Sequence, residues 1–120
     1  TADTVVIVNE AILGKPADRG DAVRMLRLLS GCSHKVVTGV TIRTANRTHS
    51  FSSVTSVEFR RMSTEEIDYY IDNYAPFDKA GAYGIQEWIG YVGIERIKGS
   101  FYNVMGLPVQ RLYAELDKMF

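Results

Sequence analysis

The run Asp78-Lys79-Ala80-Gly81-Ala82-Tyr83-Gly84-Ile85-Gln86 places two opposite charges, two glycines, a phenol and a terminal amide within nine residues. A packed core needs none of these in that order. Glycine lets a backbone turn tightly and approach a ligand closely. Lys79 supplies a cation, and Gln86 a group that donates and accepts at once. The segment reads as a loop that grips something anionic and planar. Two earlier segments carry matching chemistry. Asp3 stands just before a β-branched run, so its carboxylate falls at a sheet end, where α/β folds place their ligands. Lys15, between Gly14 and Pro16, is held on a stiff corner. Each has an ordinary explanation when taken alone: a solvated terminal acid, a surface lysine, a loop whose glycines only turn it.

The elements that must position these residues follow from periodicity. Thr4-Val5-Val6-Ile7-Val8 predicts a strand buried on both faces and central in a sheet. A central strand at the first residues leads to the expectation that further sequence precedes it. Asn9-Glu10 predicts a turn into Ala11-Ile12-Leu13 and the Gly14-Lys15-Pro16 corner. Asp18 is the predicted N-cap of a helix over 19–29, with Ala22, Val23, Leu26 and Leu29 at helical spacing and Ser30-Gly31 at its end. Two extended segments follow, over 34–43 and 48–60, joined by a hairpin loop at Thr44-Ala45-Asn46-Arg47. Val36, Val40 and Ile42 share one face of the first, Val57 and Phe59 one face of the second.

Ser63-Thr64-Glu65-Glu66 matches a capping box. The helix it opens carries Ile67, Tyr70, Ile71 and Tyr74 on one stripe, all four expected in the core, and Pro76 stops it. The loop with Lys79 and Gln86 comes next. A further strand is expected over 91–97, a turn at Gly99-Ser100, and a last helix over 108–118 with Leu112 and Leu116 inward. The result is one α/β domain over 1–120, without linker, repeat or low-complexity tract.

Composition bounds what such a domain binds. Net charge is zero and the pI about 6.7, so nothing draws nucleic acid or a membrane surface to the whole molecule. An anionic ligand must be held by a few local lysines and arginines. No apolar run approaches the length of a membrane span and no signal pattern opens the chain, which makes cytoplasm the expected location. Cys32 is the single cysteine, which excludes an internal disulfide and a cysteine-cluster metal site. His34 and His49 have no second ligand at metal-binding spacing. Ser30, Ser33 and Ser63 lack a nucleophile-elbow context and fit turns and caps.

Five motifs recur in order: Asp3-Thr4-Val5-Val6; Leu13-Gly14-Lys15-Pro16; Ser30-Gly31 with His34, Val36, Thr38 and Gly39; Lys79 to Gln86; and Asn103-Val104-Met105-Gly106-Leu107-Pro108. In these the chain closely resembles the Maf family of nucleoside triphosphate pyrophosphatases, over essentially its whole length. The resemblance implies an inosine triphosphatase-like fold, a mixed α/β domain with a long curved sheet, flanking helices and a cleft between two lobes. It implies hydrolysis of a nucleoside triphosphate to the monophosphate and pyrophosphate with a divalent metal, Mg or Mn, and a homodimer as a family-level expectation. Members usually begin with a Ser-x-Ser-Pro-Arg-Arg phosphate loop. That portion is absent from this sequence, which looks like the C-terminal part of a Maf protein.

The resemblance also assigns roles. Asp3 matches the general base, and Lys15 and Lys79 match cationic positions that neutralise phosphate. Thr4 and Gln86 match positions associated with the choice of base, and a glutamine amide suits the edge of uracil or thymine. The Asp-Thr and Tyr-Gly-Ile-Gln motifs resemble the branch that prefers dTTP and UTP, whereas the 7-methyl-GTP branch departs at the Thr4 position. Asp78 is expected to orient Lys79, assist with metal or simply form a salt bridge. Glu87 departs from the glycine common there, and is expected to narrow the pocket or repel phosphate. A second reading, of another class, is a non-catalytic nucleotide-binding or division-associated module.

Overall fold

Alternating apolar side chains build the sheet on which everything else rests. In the computed structural model, which describes residues 2–99, 101, 104 and 109–119 (side chains except those of 109, 110 and 119), five strands form one antiparallel sheet. They are β1 (Ala2–Val8), β2 (Ala11–Leu13), β3 (Ser33–Arg43), β4 (Thr48–Phe59) and β5 (Ile94–Lys98), in the order β2-β1-β3-β4-β5. The β3–β4 hairpin forms its long arm, closed where Thr44 N–H donates to the Arg47 carbonyl at 2.8 Å. Asn9 and Glu10, both at positive φ, make the tight turn from β1 to β2.

Helices cover one face of this sheet. α1 (Arg19–Leu29) is capped by Asp18, which accepts the Asp21 N–H at 2.8 Å. α2 (Thr64–Tyr74) has the expected capping box, with Ser63 and Glu66 satisfying each other's backbone donors. Met25, Leu26 and Leu29 of α1 and Ile67, Tyr70 and Ile71 of α2 meet Val6, Val8, Val36, Val57 and Phe59 of the sheet in one core. Burying a large apolar side chain is worth about 1.5–3 kcal/mol, so this layer supplies most of what fixes the strands. A short 3-10 turn at Ala80–Ala82, then α3 (Trp88–Gly93) and α4 (Val109–Met119), complete the described elements.

The structure corrects three expectations. β1 is not buried on both faces: Val6 and Val8 are buried, whereas Val5 and Ile7 on the other face are only half-covered. Among the described residues, α1 and α2 pack on the Val6 and Val8 face, so the apolar run packs as a half-buried antiparallel strand does. The segment expected as a strand over 91–97 is helical up to Gly93 and extended only from Ile94. There Ile89 is wholly buried and Tyr91 is 84% exposed. A Cβ on Gly90 would lie 1.8 Å from the Ile85 carbonyl oxygen, so the helix seats closely on the preceding loop. Tyr74 is not core: it stacks on Tyr70 at 5.2 Å with one side in solvent.

Leu112 and Leu116 of α4 are half-buried, and the buried side chain between them is Glu115, which meets His49 Nε2 at 2.6 Å and Arg111 at 2.8 Å. The Asn103–Pro108 motif lies outside the described residues except for Val104. Among the described residues no helix is long and apolar enough to cross a membrane.

Candidate functional site

Three stretches of chain converge at one end of β1. β1 leaves its buried half at Val6 and becomes exposed at Asp3 and Ala2. The corner after β2 carries Lys15 outward on the surface, braced by the buried Pro16. The 79–86 loop folds across the same end, tied down where the Gly81 N–H donates to the Gly14 carbonyl at 3.1 Å. Together they enclose a cavity of about 250 Å³.

All the residues singled out from sequence reach it. Asp3, Thr4, Lys15, Lys79 and Gln86 line the cavity, with Asp78 beside them and Val6 and Val36 as an apolar floor. Thr4 is paired across the sheet with Thr38, and their hydroxyls are 2.9 Å apart. That contact fixes the Thr4 rotamer at the cavity wall. Asp3 pairs with Gly39 in the same register, so the strand holds its backbone while its side chain remains exposed. Gln86 is exposed and Lys79 half-buried.

Lys79 Nζ donates to Asp78 Oδ1 at 3.1 Å. That hydrogen bond, helped by the charges of Lys79 and Lys15, holds the Asp78 carboxyl below the usual carboxylate range. The contact is largely exposed and contributes little to stability. Its consequence is local, in that the lysine is already accompanied by a carboxylate. Glu87 does not line the cavity. Its carboxylate turns back beneath the loop, where it accepts from Tyr70 Oη at 3.0 Å and lies 3.7 Å from Lys79 Nζ. Glu87 thus stands behind the lining residues Lys79 and Gly84 rather than on the cavity wall.

Two residues read as core or loop take part in shaping the site. Tyr83 lines the cavity, and its hydroxyl meets His34 Nε2 at 2.7 Å. Both are buried, and burial pushes the Tyr83 phenol up and the His34 imidazole down to about 4. His34 is thus a neutral internal partner. Tyr70 accepts the Gly84 N–H at 3.0 Å from the interior of α2. The position of Tyr83 inside a glycine-flanked motif was a usable signal for the first. Nothing in the helical stripe marks Tyr70 apart from its neighbours.

The cavity residues also bear on a metal. Among the described residues no group of three or more His, Cys, Asp or Glu side chains is placed to form an all-protein metal site. Asp3 and Asp78 nonetheless present hard oxygen donors to the cavity. Magnesium is commonly bound by one or two carboxylates, with water and substrate phosphates filling the remaining positions. The donor set fits an ion of that kind. Charge points the same way: among the described residues the lining lysines, Lys15 and Lys79, are balanced by Asp3 and Asp78, so these four side chains leave no net positive charge for a polyanion.

The fold and cavity define a mixed α/β protein with a charged cleft between a strand end and a glycine-bearing loop. The chain belongs to the Maf-like protein family, whose sequence profile matches residues 1–119. It is 65% identical over 116 residues to a dTTP/UTP pyrophosphatase of Porphyromonas gingivalis, covering 97% of this chain and 58% of that protein. It is 58% identical over 119 residues to a dTTP/UTP pyrophosphatase of Bacteroides thetaiotaomicron, covering 99% of this chain and 62% of that protein. The corresponding protein of Cytophaga hutchinsonii is 54% identical over 119 residues, 99% of this chain and 55% of its own length. The chain thus spans somewhat over half the length of the curated relatives it matches.

Proposed function

We propose that this chain forms the base- and phosphate-facing part of a nucleoside triphosphate pyrophosphatase that hydrolyses dTTP, UTP or modified pyrimidine triphosphates to the monophosphate and pyrophosphate. The observation that carries this reading is the meeting of Asp3, Thr4, Lys15, Lys79 and Gln86, from three separate stretches of sequence, in one cavity. The similarity to dTTP/UTP pyrophosphatases supports the choice of substrate.

In this reading Asp3 takes the proton from the attacking water, a task suited to a solvent-accessible carboxylate beside the phosphates. Lys15 and Lys79 face the phosphate oxygens and stabilise charge that grows as the anhydride bond breaks. Gln86 presents its amide to the base edge, and Thr4, fixed by Thr38, sets how closely the base approaches. Asp3 and Asp78 would hold a divalent cation, Mg or Mn. When bound, that ion neutralises phosphate oxygens and makes pyrophosphate a better leaving group. The balance of lysines and carboxylates along the cavity is what calls for it.

Incubation of the full-length protein with dTTP, UTP and GTP and a divalent cation, followed by product chromatography, tests the reading. Equimolar monophosphate and pyrophosphate from the pyrimidine substrates is expected. Orthophosphate with the diphosphate, or no turnover of any substrate, would rule it out. A cytoplasmic setting and a homodimer accompany the proposal; a monomer in sedimentation at micromolar concentration would remove the latter.

A further inference from the structure

The loop bearing Lys79 and Gln86 is held from beneath by two residues to which the proposed chemistry gives no role. Tyr70 has no exposed surface, yet its hydroxyl accepts the Gly84 N–H at 3.0 Å and donates to Glu87 Oε1 at 3.0 Å. The same Oε1 lies 3.7 Å from Lys79 Nζ. A helix interior, a loop backbone and the cavity lysine therefore meet around one carboxylate oxygen. Gly84 makes room for this: a Cβ there would stand 2.4 Å from Glu87 Oε1 and 2.7 Å from Lys79 Cε.

Satisfying the buried Gly84 N–H accounts for one bond of the Tyr70 hydroxyl but not for its grip on the Glu87 carboxylate. Glu87 stands at the N-cap of α3 but makes no side-chain capping bond, so its carboxylate is not there to close the helix. A phenylalanine at position 70 would fill the same space and stack equally on Tyr74. What the hydroxyl adds is direction. It fixes where the Glu87 carboxylate points, and burial keeps the phenol protonated by pushing its pKa up.

We propose that Tyr70 and Glu87 are a positioning pair for Lys79. This rests on Lys79 being a phosphate-facing cation, as argued above. A lysine side chain is a point charge on a flexible stem and swings freely unless something holds it. Glu87 holds the ammonium from the loop side and Asp78 from the other, at 3.7 and 3.1 Å. The two carboxylates place the charge before substrate arrives and temper its pull on anions. Tyr70 is the anchor of the pair and does not line the cavity.

The test is binding of inorganic tripolyphosphate by calorimetry, alongside dTTP turnover, in the full-length protein. Tyr70→Phe and Glu87→Gln are each made with Lys79 intact and in a Lys79→Ala background. Tyr70→Phe frees the Glu87 carboxylate to close on the Lys79 ammonium and compete with the anion, and should weaken binding about fivefold. Glu87→Gln keeps an acceptor for the phenol but removes a negative charge, and should tighten binding about threefold while lowering kcat. Without Lys79 both effects should shrink below about twofold, because the pair acts through that ammonium.

Equal effects with and without Lys79 would make the pair merely structural and overturn the proposal. Weakened binding in Glu87→Gln would overturn it as well. If the couplings appear but no nucleoside triphosphate is hydrolysed, the pair stands and the pyrophosphatase reading falls. If dTTP is hydrolysed and the variants are additive with Lys79→Ala, the pair alone falls. A parent protein that does not bind tripolyphosphate overturns the pair, and dTTP hydrolysis alone then decides the pyrophosphatase reading.

Discussion

The backbone N–H of Gly81 donates to the carbonyl of Gly14 at 3.1 Å, and this bond joins the two lysine-bearing segments of the cleft. Lys15 follows one partner directly, and Lys79 precedes the other by two residues. Their separation is therefore set by a backbone contact rather than by side-chain packing. Gly81 can make that contact because it has φ +71° and no Cβ. A Cβ there would stand 2.8 Å from Val6 Cγ2.

Gly81→Ala should consequently cost about 2–4 kcal/mol, from left-handed backbone strain and crowding against β1. Urea unfolding measures it, with Gly39→Ala as the comparison. Gly39 lies in β3, and a Cβ added there would meet no atom within 4 Å. That substitution should shift stability by no more than about 1 kcal/mol. Equal midpoints for the two variants would contradict the argument.

Acid should weaken the fold through His34 before it reaches the carboxylates. The imidazole is buried against Phe59 and Tyr83, and Nδ1 has no hydrogen-bond partner among the described residues. Burial lowers its pKa from 6.5 to about 4. The unfolded chain therefore binds the proton more readily, and stability present above pH 6.5 is lost as pH falls toward 4. The loss is roughly 3 kcal/mol across the window, at about 1.4 kcal/mol for each pH unit. The depressed carboxyls act lower: Glu66, held down to about 2 by Arg60, loses its contribution only below its ordinary value of 4.5. Chemical unfolding between pH 7 and 4.5 should show the slope in the parent and a nearly flat line in His34→Phe. The same slope in both would remove His34 as its source.

Asp3→Asn separates catalysis from binding. The amide keeps the shape of the carboxylate at the exposed end of β1 but cannot accept the proton from water. Turnover of dTTP should fall by about two to four orders of magnitude, the usual worth of a general base. Tripolyphosphate affinity should change far less, because Lys15 and Lys79 are untouched and Asp78 remains to hold the cation. Parental turnover in Asp3→Asn would move the proton to another acceptor and reduce Asp3 to a structural residue.

Much of this architecture was legible in the residues, for identifiable reasons. Asp18 and Ser63 announced their helices because capping is a local matter between one side chain and the next turn. The β3–β4 hairpin followed from Val36, Val40 and Ile42 on one face of the first segment, Val57 and Phe59 on one face of the second, and the loop residues between them. The residues of the cleft stood out because lysine, glycine and glutamine in that order serve no core. The misses were decided by distant neighbours. Aromatic and β-branched composition at Tyr91 and Val92 favoured a strand, but burial of Ile89 and the seat of Gly90 on Ile85 favoured a helix. Tyr70 has the spacing of a core residue and is one. Its hydroxyl acquires meaning only from Gly84 and Glu87, more than a dozen residues away.

Gln86→Ala should act on selection rather than on chemistry. Gln86 is exposed on the cavity wall, and the described residues give its side chain no hydrogen bond that would make it a structural brace. Its amide is free to donate to a carbonyl and accept from an N–H on the edge of a pyrimidine. Losing one such contact is worth roughly 0.5–1.5 kcal/mol, or about two- to tenfold in kcat/KM. The loss should fall on dTTP and UTP and spare poor substrates, which never made the contact, so discrimination narrows while the best remaining rate stays within about tenfold. Competition between dTTP and GTP in one reaction reads this ratio directly. A uniform loss on every base would assign Gln86 to the shape of the loop, and the choice of base would have to rest on Thr4 and the residues around it.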